Sequence, residues 1–169
     1  LEALDPISRR QIEAHPDLAY GSTLLAVVVT HAFILYLQLG DGDILTVSAS
    51  GEVERPLAKD ERLIANETTS LCSAKAWNEV RIKFQALAGA PPALILAATD
   101  GYANSFRDEA GFQQVARDLW MMVQDEGLEP VRSNLKNWLN EASRQGSGDD
   151  ITVGIICQMA LATPEQADS

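Results

Sequence analysis

The sequence predicts an α+β domain in which helices pack on antiparallel sheets. Three observations carry this expectation. Short apolar segments rich in β-branched and aromatic residues crowd the first hundred residues, two helical stripes of three-and-four spacing follow, and one last apolar run, Ile151 to Cys157, comes after them. Asp5-Pro6 combines an N-cap with proline at the first helical position, which predicts a short helix through Ala14 closed by His15-Pro16. Ser22 to Thr30 (STLLAVVVT) and Ala32 to Leu39 (AFILYLQL) predict two buried antiparallel strands split at His31. Gly40-Asp41-Gly42-Asp43 is a turn signal before Ile44 to Ser48, and Ala49-Ser50-Gly51 turns the chain again into Glu52 to Leu57, so that a β-meander is expected.

Residues Ala58 to Trp77 are polar and irregular and predict a surface excursion. Val80 to Leu87 (VRIKFQAL) alternates apolar and charged residues, as a strand with one wet face does. Leu94 to Thr99 (LILAAT) is apolar on both faces and predicts a fully buried strand. The first long helix then carries Phe112, Val115, Leu119 and Met122, and the second carries Leu128, Val131, Leu135, Trp138, Leu139 and Ala142. Gly127 with Pro130 separates them, and Gly146-Ser147-Gly148 ends the second. Residues 1–160 are expected to form one domain, with 161–169 a polar tail.

A chain of 169 residues that is 46% hydrophobic can bury a sizeable core. Its formal charge of −11, from 24 acidic and 13 basic residues, repels phosphate backbones and anionic lipid headgroups, so neither nucleic acid nor membrane is expected as a partner. Cys72 and Cys157 match no ligand or redox spacing and are expected to be small buried hydrophobes. The sequence has no apolar run of the ~20 residues a membrane helix needs, and no basic-then-apolar leader, so a cytoplasmic location is expected. Asn66-Glu67-Thr68 fits the glycosylation pattern, but without a secretory signal it carries no meaning. His31 is expected at a turn or strand edge, Arg9 and Arg10 on a solvated helix face, and Trp77, Trp120 and Trp138 as core or helix-packing residues.

Three acidic clusters sit at predicted strand ends: Asp41 in LGDGD, Asp100 in ATDGYAN, and Asp149-Asp150 in GSGDDITV. Each alone is ordinary turn chemistry. Together, on neighbouring strands, they would converge on one rim, where like charges need cations to neutralise them. Hard cations with oxygen ligands suit such a cluster better than zinc, because His15, His31 and both cysteines lie outside these motifs.

Gly21-Ser22-Thr23 opening a strand, LGDGD after the next, TDG after a buried strand and GSGDDITV before the last occur in the order found in one known family. From Tyr20 to Gln158 the chain resembles the PPM or PP2C-type metal-dependent Ser/Thr protein phosphatases, and NETTSLCS, DGYANSF and GSGDDIT look closest to a bacterial branch. The resemblance implies a PP2C-like α/β sandwich of antiparallel sheets flanked by helix pairs. It also implies hydrolysis of phosphoserine and phosphothreonine in proteins by a water activated between two metals, Mn²⁺ or Mg²⁺, without a covalent intermediate. By the same resemblance Asp100 ligates one metal or bridges both, Asp149 is a terminal ligand, and Asp150 stands where the family usually has Asn. Asp41 would serve a third, weaker metal site, and Asn104 replaces a second acid there, so that site should be weak or absent. Gly101 would let the backbone turn away from the strand at once.

The implied partners are a phosphoprotein substrate and a Ser/Thr kinase that supplies it; the oligomeric state stays open, with edge pairing or swapping in view. The family takes its first metal acid, an Asp-Gly-x-Gly-Gly-like motif, its phosphate-binding arginine and its histidine acid from a region upstream of the Gly-Ser-Thr strand. LEALDPISRRQIEAHPDLAY contains nothing like them. The expectation is therefore a partial domain, its N-terminal strands missing, with weak metal binding, little turnover and no catalytic acid that can be assigned. The alternative is a pseudophosphatase or phosphoprotein-binding module, against which two converging acids, Asp100 and Asp149, argue.

Overall fold

A computed structural model of the chain describes residues 5–59, 69–73 and 75–158. Helix α1 (Pro6–Ala14) opens where the Asp5 carboxylate accepts the Ile7 and Ser8 N–H groups, closes at His15 and leads into a 3-10 turn, Pro16–Tyr20. Strands β1 (Leu24–Val29) and β2 (Phe33–Leu39) form a hairpin around His31, and β5 (Arg81–Ala86) pairs with the other side of β2. The second sheet is built from β3 (Asp43–Val47), β4 (Val53–Glu54), β6 (Leu94–Ala98) and β7 (Val153–Cys157), in the order β4-β3-β6-β7. Every strand pair is antiparallel. Two short helices, α2 (Ala76–Glu79) and α3 (Asp100–Ala103), and two long ones, α4 (Glu109–Glu126) and α5 (Leu128–Gln145), complete the described elements.

Sheet two is the shared wall between two apolar layers. Along β6, Leu94, Leu96 and Ala98 face Phe112, Ala116, Leu119, Trp120 and Val123 of α4, while Ile95 and Ala97 face Ile34 and Tyr36 of the first sheet. The period of two in a strand produces this division, and it explains why LILAAT has no polar face. The helix stripes follow the predicted spacing, and only Gly127 intervenes between α4 and α5.

Several expectations are corrected. The β-meander is divided between two sheets, because the chain leaves the first sheet at Leu39, turns at Gly40 with φ +97°, and enters the second at Asp43. β4 has two residues instead of six. β5 is inverted relative to its predicted wet face: Ile82 and Phe84 are 61% and 62% exposed, while Arg81 and Gln85 lie partly buried. Register explains this, since Gln85 pairs with Ile34 on the inner face and Phe84 with Leu35 on the outer one. Trp77, on one-turn α2, is 77% exposed, whereas Trp120 is buried and Trp138 packs at the edge of the helix layer. Both cysteines are half-buried. Half of the 58–77 excursion, residues 60–68 and 74, and the tail beyond 158 lie outside the described residues. None of the described helices is long and apolar enough to cross a membrane.

Candidate functional site

Antiparallel pairing decides where the acidic motifs meet. Asp43 at the start of β3 pairs with Ala98 at the end of β6, and Ala98 pairs with Val153 at the start of β7. The segments just beyond these residues, carrying Asp41, Asp100 and Asp149-Asp150, therefore share one end of the sheet.

Asp41 sits on a corner that only a close approach allows. A Cβ at Gly42 would lie 2.7 Å from Leu25 Cδ1 and 2.8 Å from the Ala98 carbonyl oxygen. The buried Gln38 amide donates to the carbonyls of both Gly40 and Gly42, pinning the corner from below. Asp100 is the first residue of α3; its Oδ1 accepts the Gly101 N–H at 2.8 Å, and its Oδ2 accepts from Asn104 Nδ2 at 3.3 Å. Asn104 thus sits one helical turn on, beside Asp100. Asp149 and Asp150 are exposed in the loop between α5 and β7, where Asp149 Oδ1 accepts the Asp150 N–H at 2.8 Å.

Gly101 departs from its expected role. It lies inside α3 without a positive φ, so no backbone freedom is used there. Glycine is needed instead because a Cβ would stand 2.8 Å from the Asp150 carbonyl oxygen and 3.2 Å from Asp149 Cβ. The two acidic segments touch through this missing side chain.

Electrostatics join all three acids. Burial first, then the charge of Asp41, pushes the Asp100 carboxyl above its ordinary range; Asp149 adds to this and the Gly101 N–H opposes it. The donor set is hard oxygen, which fits a Mg²⁺- or Mn²⁺-like cation. Among the described residues, however, no three His, Cys, Asp or Glu side chains stand close enough together to hold a metal ion. Asp100 feels the charge of the other two acids, but among the described residues they form no closed ligand set.

Other residues near this rim have no local signal in the sequence. Arg55 bridges Asp43 and Glu109, with 2.6 Å between its Nη2 and Glu109 Oε1, and Lys59 Nζ reaches Glu109 Oε2 at 2.7 Å. Thr99 ties β6 to β7 at the rim, its hydroxyl accepting the Thr152 N–H at 2.9 Å and its own N–H donating to the Thr152 carbonyl at 3.0 Å. A cavity of about 360 Å³, lined by Val29, His31, Ile34, Ile95 and Ile156, lies between the sheets at the opposite end from Asp100.

The profile of the protein phosphatase 2C family matches residues 5–140, more than half of the chain. The chain belongs to that family. The matched span of this 2C-family chain ends before Asp149-Asp150. Its fold is also found in solved structures. A bacterial serine phosphatase aligns with TM-score 0.60 at 12% identity, over 93% of this chain and 67% of that one. The catalytic domain of the serine threonine protein phosphatase PstP, in complex with two manganese ions, aligns with TM-score 0.55 at 21% identity, over 86% of this chain and 62% of that one. PppA, a regulatory component of the type VI secretion system in Pseudomonas aeruginosa, aligns with TM-score 0.55 at 21% identity, over 87% and 61%. The 2C-family chain thus spans less than two thirds of PstP and PppA. No curated protein matches its sequence.

Proposed function

We propose that this chain supplies part of the active site of a metal-dependent phosphatase acting on phosphoserine and phosphothreonine in proteins. The observation that carries the reading is the convergence of Asp41, Asp100 and Asp149 at one end of β3, β6 and β7, with the charges of Asp41 and Asp149 felt at Asp100. Asp100 and Asp149 would hold a divalent cation, Mn²⁺ or Mg²⁺, and Asp41 would serve an additional, weaker position. When bound, a pair of such cations lowers the pKa of a shared water and offsets charge on the phosphoryl group.

The chain's own part is positioning. The Gly101 N–H and the Asn104 amide each hold one oxygen of Asp100, which fixes its carboxylate plane. Gln38 fixes the corner under Asp41. Support for the metals comes from the hard-oxygen donor set and from the manganese ions of PstP. A Ser/Thr kinase, the class of enzyme that makes such substrates, is the proposed counterpart.

A second reading, a phosphoprotein-binding relative without turnover, is favoured by the absence of a closed ligand set among the described residues. The test is Mn²⁺ calorimetry and p-nitrophenyl phosphate turnover on the full-length protein carrying this chain and on its Asp100→Asn variant. Binding and turnover that both vanish in the variant are the expected outcome. A full-length protein that neither binds Mn²⁺ nor hydrolyses the ester overturns the phosphatase reading and leaves the binding module.

A further inference from the structure

The loop that carries Asp149 is fastened to the helix that carries Asp100 by two serine hydroxyls. Ser105 Oγ and Ser147 Oγ lie 2.7 and 2.8 Å from the same acceptor, the Gly101 carbonyl oxygen, and 3.0 Å from each other. Three oxygen–oxygen contacts share two hydroxyl protons, so the trio holds together as a unit. Backbone groups of the loop extend it: the Ser147 N–H points at Ser105 Oγ at 3.4 Å, and the Asp149 N–H at Ser147 Oγ at 3.3 Å. On the far side, Ser143 Oγ donates to the Asp149 carbonyl at 2.7 Å. Close packing keeps the two segments in register, since a Cβ at Gly146 would stand 2.5 Å from Ser105 Cα.

We propose that Ser105 and Ser147 are positioning residues, a hydroxyl latch that sets the separation of Asp100 and Asp149 and thereby the divalent-cation affinity of the rim. The inference rests on the metal-dependent reading above. Its physical basis is the repulsion between the two carboxylates, which favours an open loop whenever no cation lies between them. Neutral hydroxyls hold the loop closed against that repulsion without adding charge. Without them the cation has to draw the loop back, and the cost appears as lost affinity.

The experiment compares Ser147→Ala, Ser105→Ala, their double variant and Ser147→Thr in the full-length protein, with Ser133→Ala on the exposed face of α5 as control. Calorimetry gives the Mn²⁺ dissociation constant, and amide hydrogen exchange of the metal-free protein reads the Asp149 N–H directly. The latch predicts that each alanine variant weakens Mn²⁺ about tenfold, equivalent to about 1.4 kcal/mol, and speeds exchange at Asp149. The double variant should be little worse than either single one, because both hydroxyls serve one acceptor. Ser147→Thr, which keeps the hydroxyl, should retain the unsubstituted protein's affinity. A merely structural role would lower the melting temperature of the alanine variants and leave the dissociation constant, measured well below it, within twofold; that result overturns the latch while the metal reading stands. An unsubstituted protein that binds no Mn²⁺ overturns both.

Discussion

Replacing Arg55 by methionine tests how much the charged cluster beneath the rim contributes to the fold. Arg55 and Asp43 side chains are 13% and 7% exposed, so the substitution strands a nearly buried carboxylate at the start of β3. Breaking a buried pair in this way costs about 3–5 kcal/mol. The Glu109 side contributes far less, about 0.5 kcal/mol, because Glu109 is 38% exposed and keeps Lys59. A ceiling comes from proton uptake: neutralising a carboxyl of ordinary pKa, about 3.9, costs about 4 kcal/mol at pH 7 and about 1.5 kcal/mol at pH 5. The expected loss is therefore about 3–4 kcal/mol at pH 7, shrinking to about 2 kcal/mol or less at pH 5. Urea unfolding at the two pH values measures it, and Arg55→Met combined with Asp43→Leu should recover most of the loss. A loss under about 1 kcal/mol at pH 7, or one independent of pH, would refute the reasoning.

Three further outcomes are expected. Burial alone would raise the Glu109 carboxyl, but Lys59 and then Arg55 outweigh it and bring it down to about 2, so its stabilisation is present above its ordinary 4.5 and is lost as pH falls toward 2. After discounting for exposure this amounts to about 1 kcal/mol, and Glu109→Gln should flatten the acid limb of the unfolding free energy by that amount. Gly101→Ala should lower stability by about 1–3 kcal/mol in thermal unfolding, because the new methyl meets the Asp150 carbonyl oxygen at 2.8 Å. Phe84→Ser should cost under about 1.5 kcal/mol, mostly the ring contact with Phe33 at 5.1 Å, whereas Leu96→Ala should cost about 2–5 kcal/mol, as urea midpoints would reveal.

The sequence made the elements legible wherever one residue pattern had one physical outcome. Asp5-Pro6 could only open a helix, Gly127 could only divide two, and LILAAT was apolar on both faces because it lies between two layers. What could not be read depended on partners far along the chain. VRIKFQAL has the alternation of a half-wet strand, but its inner face is chosen by register with β2, so Ile82 and Phe84 point outward. Trp77 resembles a core residue in composition, yet one-turn α2 leaves it outside. At the rim, Asp beside Gly marked the three acidic segments, because short acidic turns at strand ends are local features. Gln38 inside FILYLQL, Arg55 bridging to Glu109, and Ser105 meeting Ser147 become meaningful only after the chain has folded back on itself.

The central position of β6 also has a consequence for how the protein is made. Its two neighbours lie far from it on either side in sequence, β3 about fifty residues before it and β7 about as many after it. During synthesis β3 and β6 can pair early, yet Asp100 meets Asp149 only once β7 has emerged from the ribosome and closed the edge of the sheet. Until then the nascent chain presents Ile95 and Leu96 on a strand with one unpaired side. The rim therefore waits for β7, and a polypeptide interrupted before Val153 would expose an adhesive edge without gaining the acidic convergence.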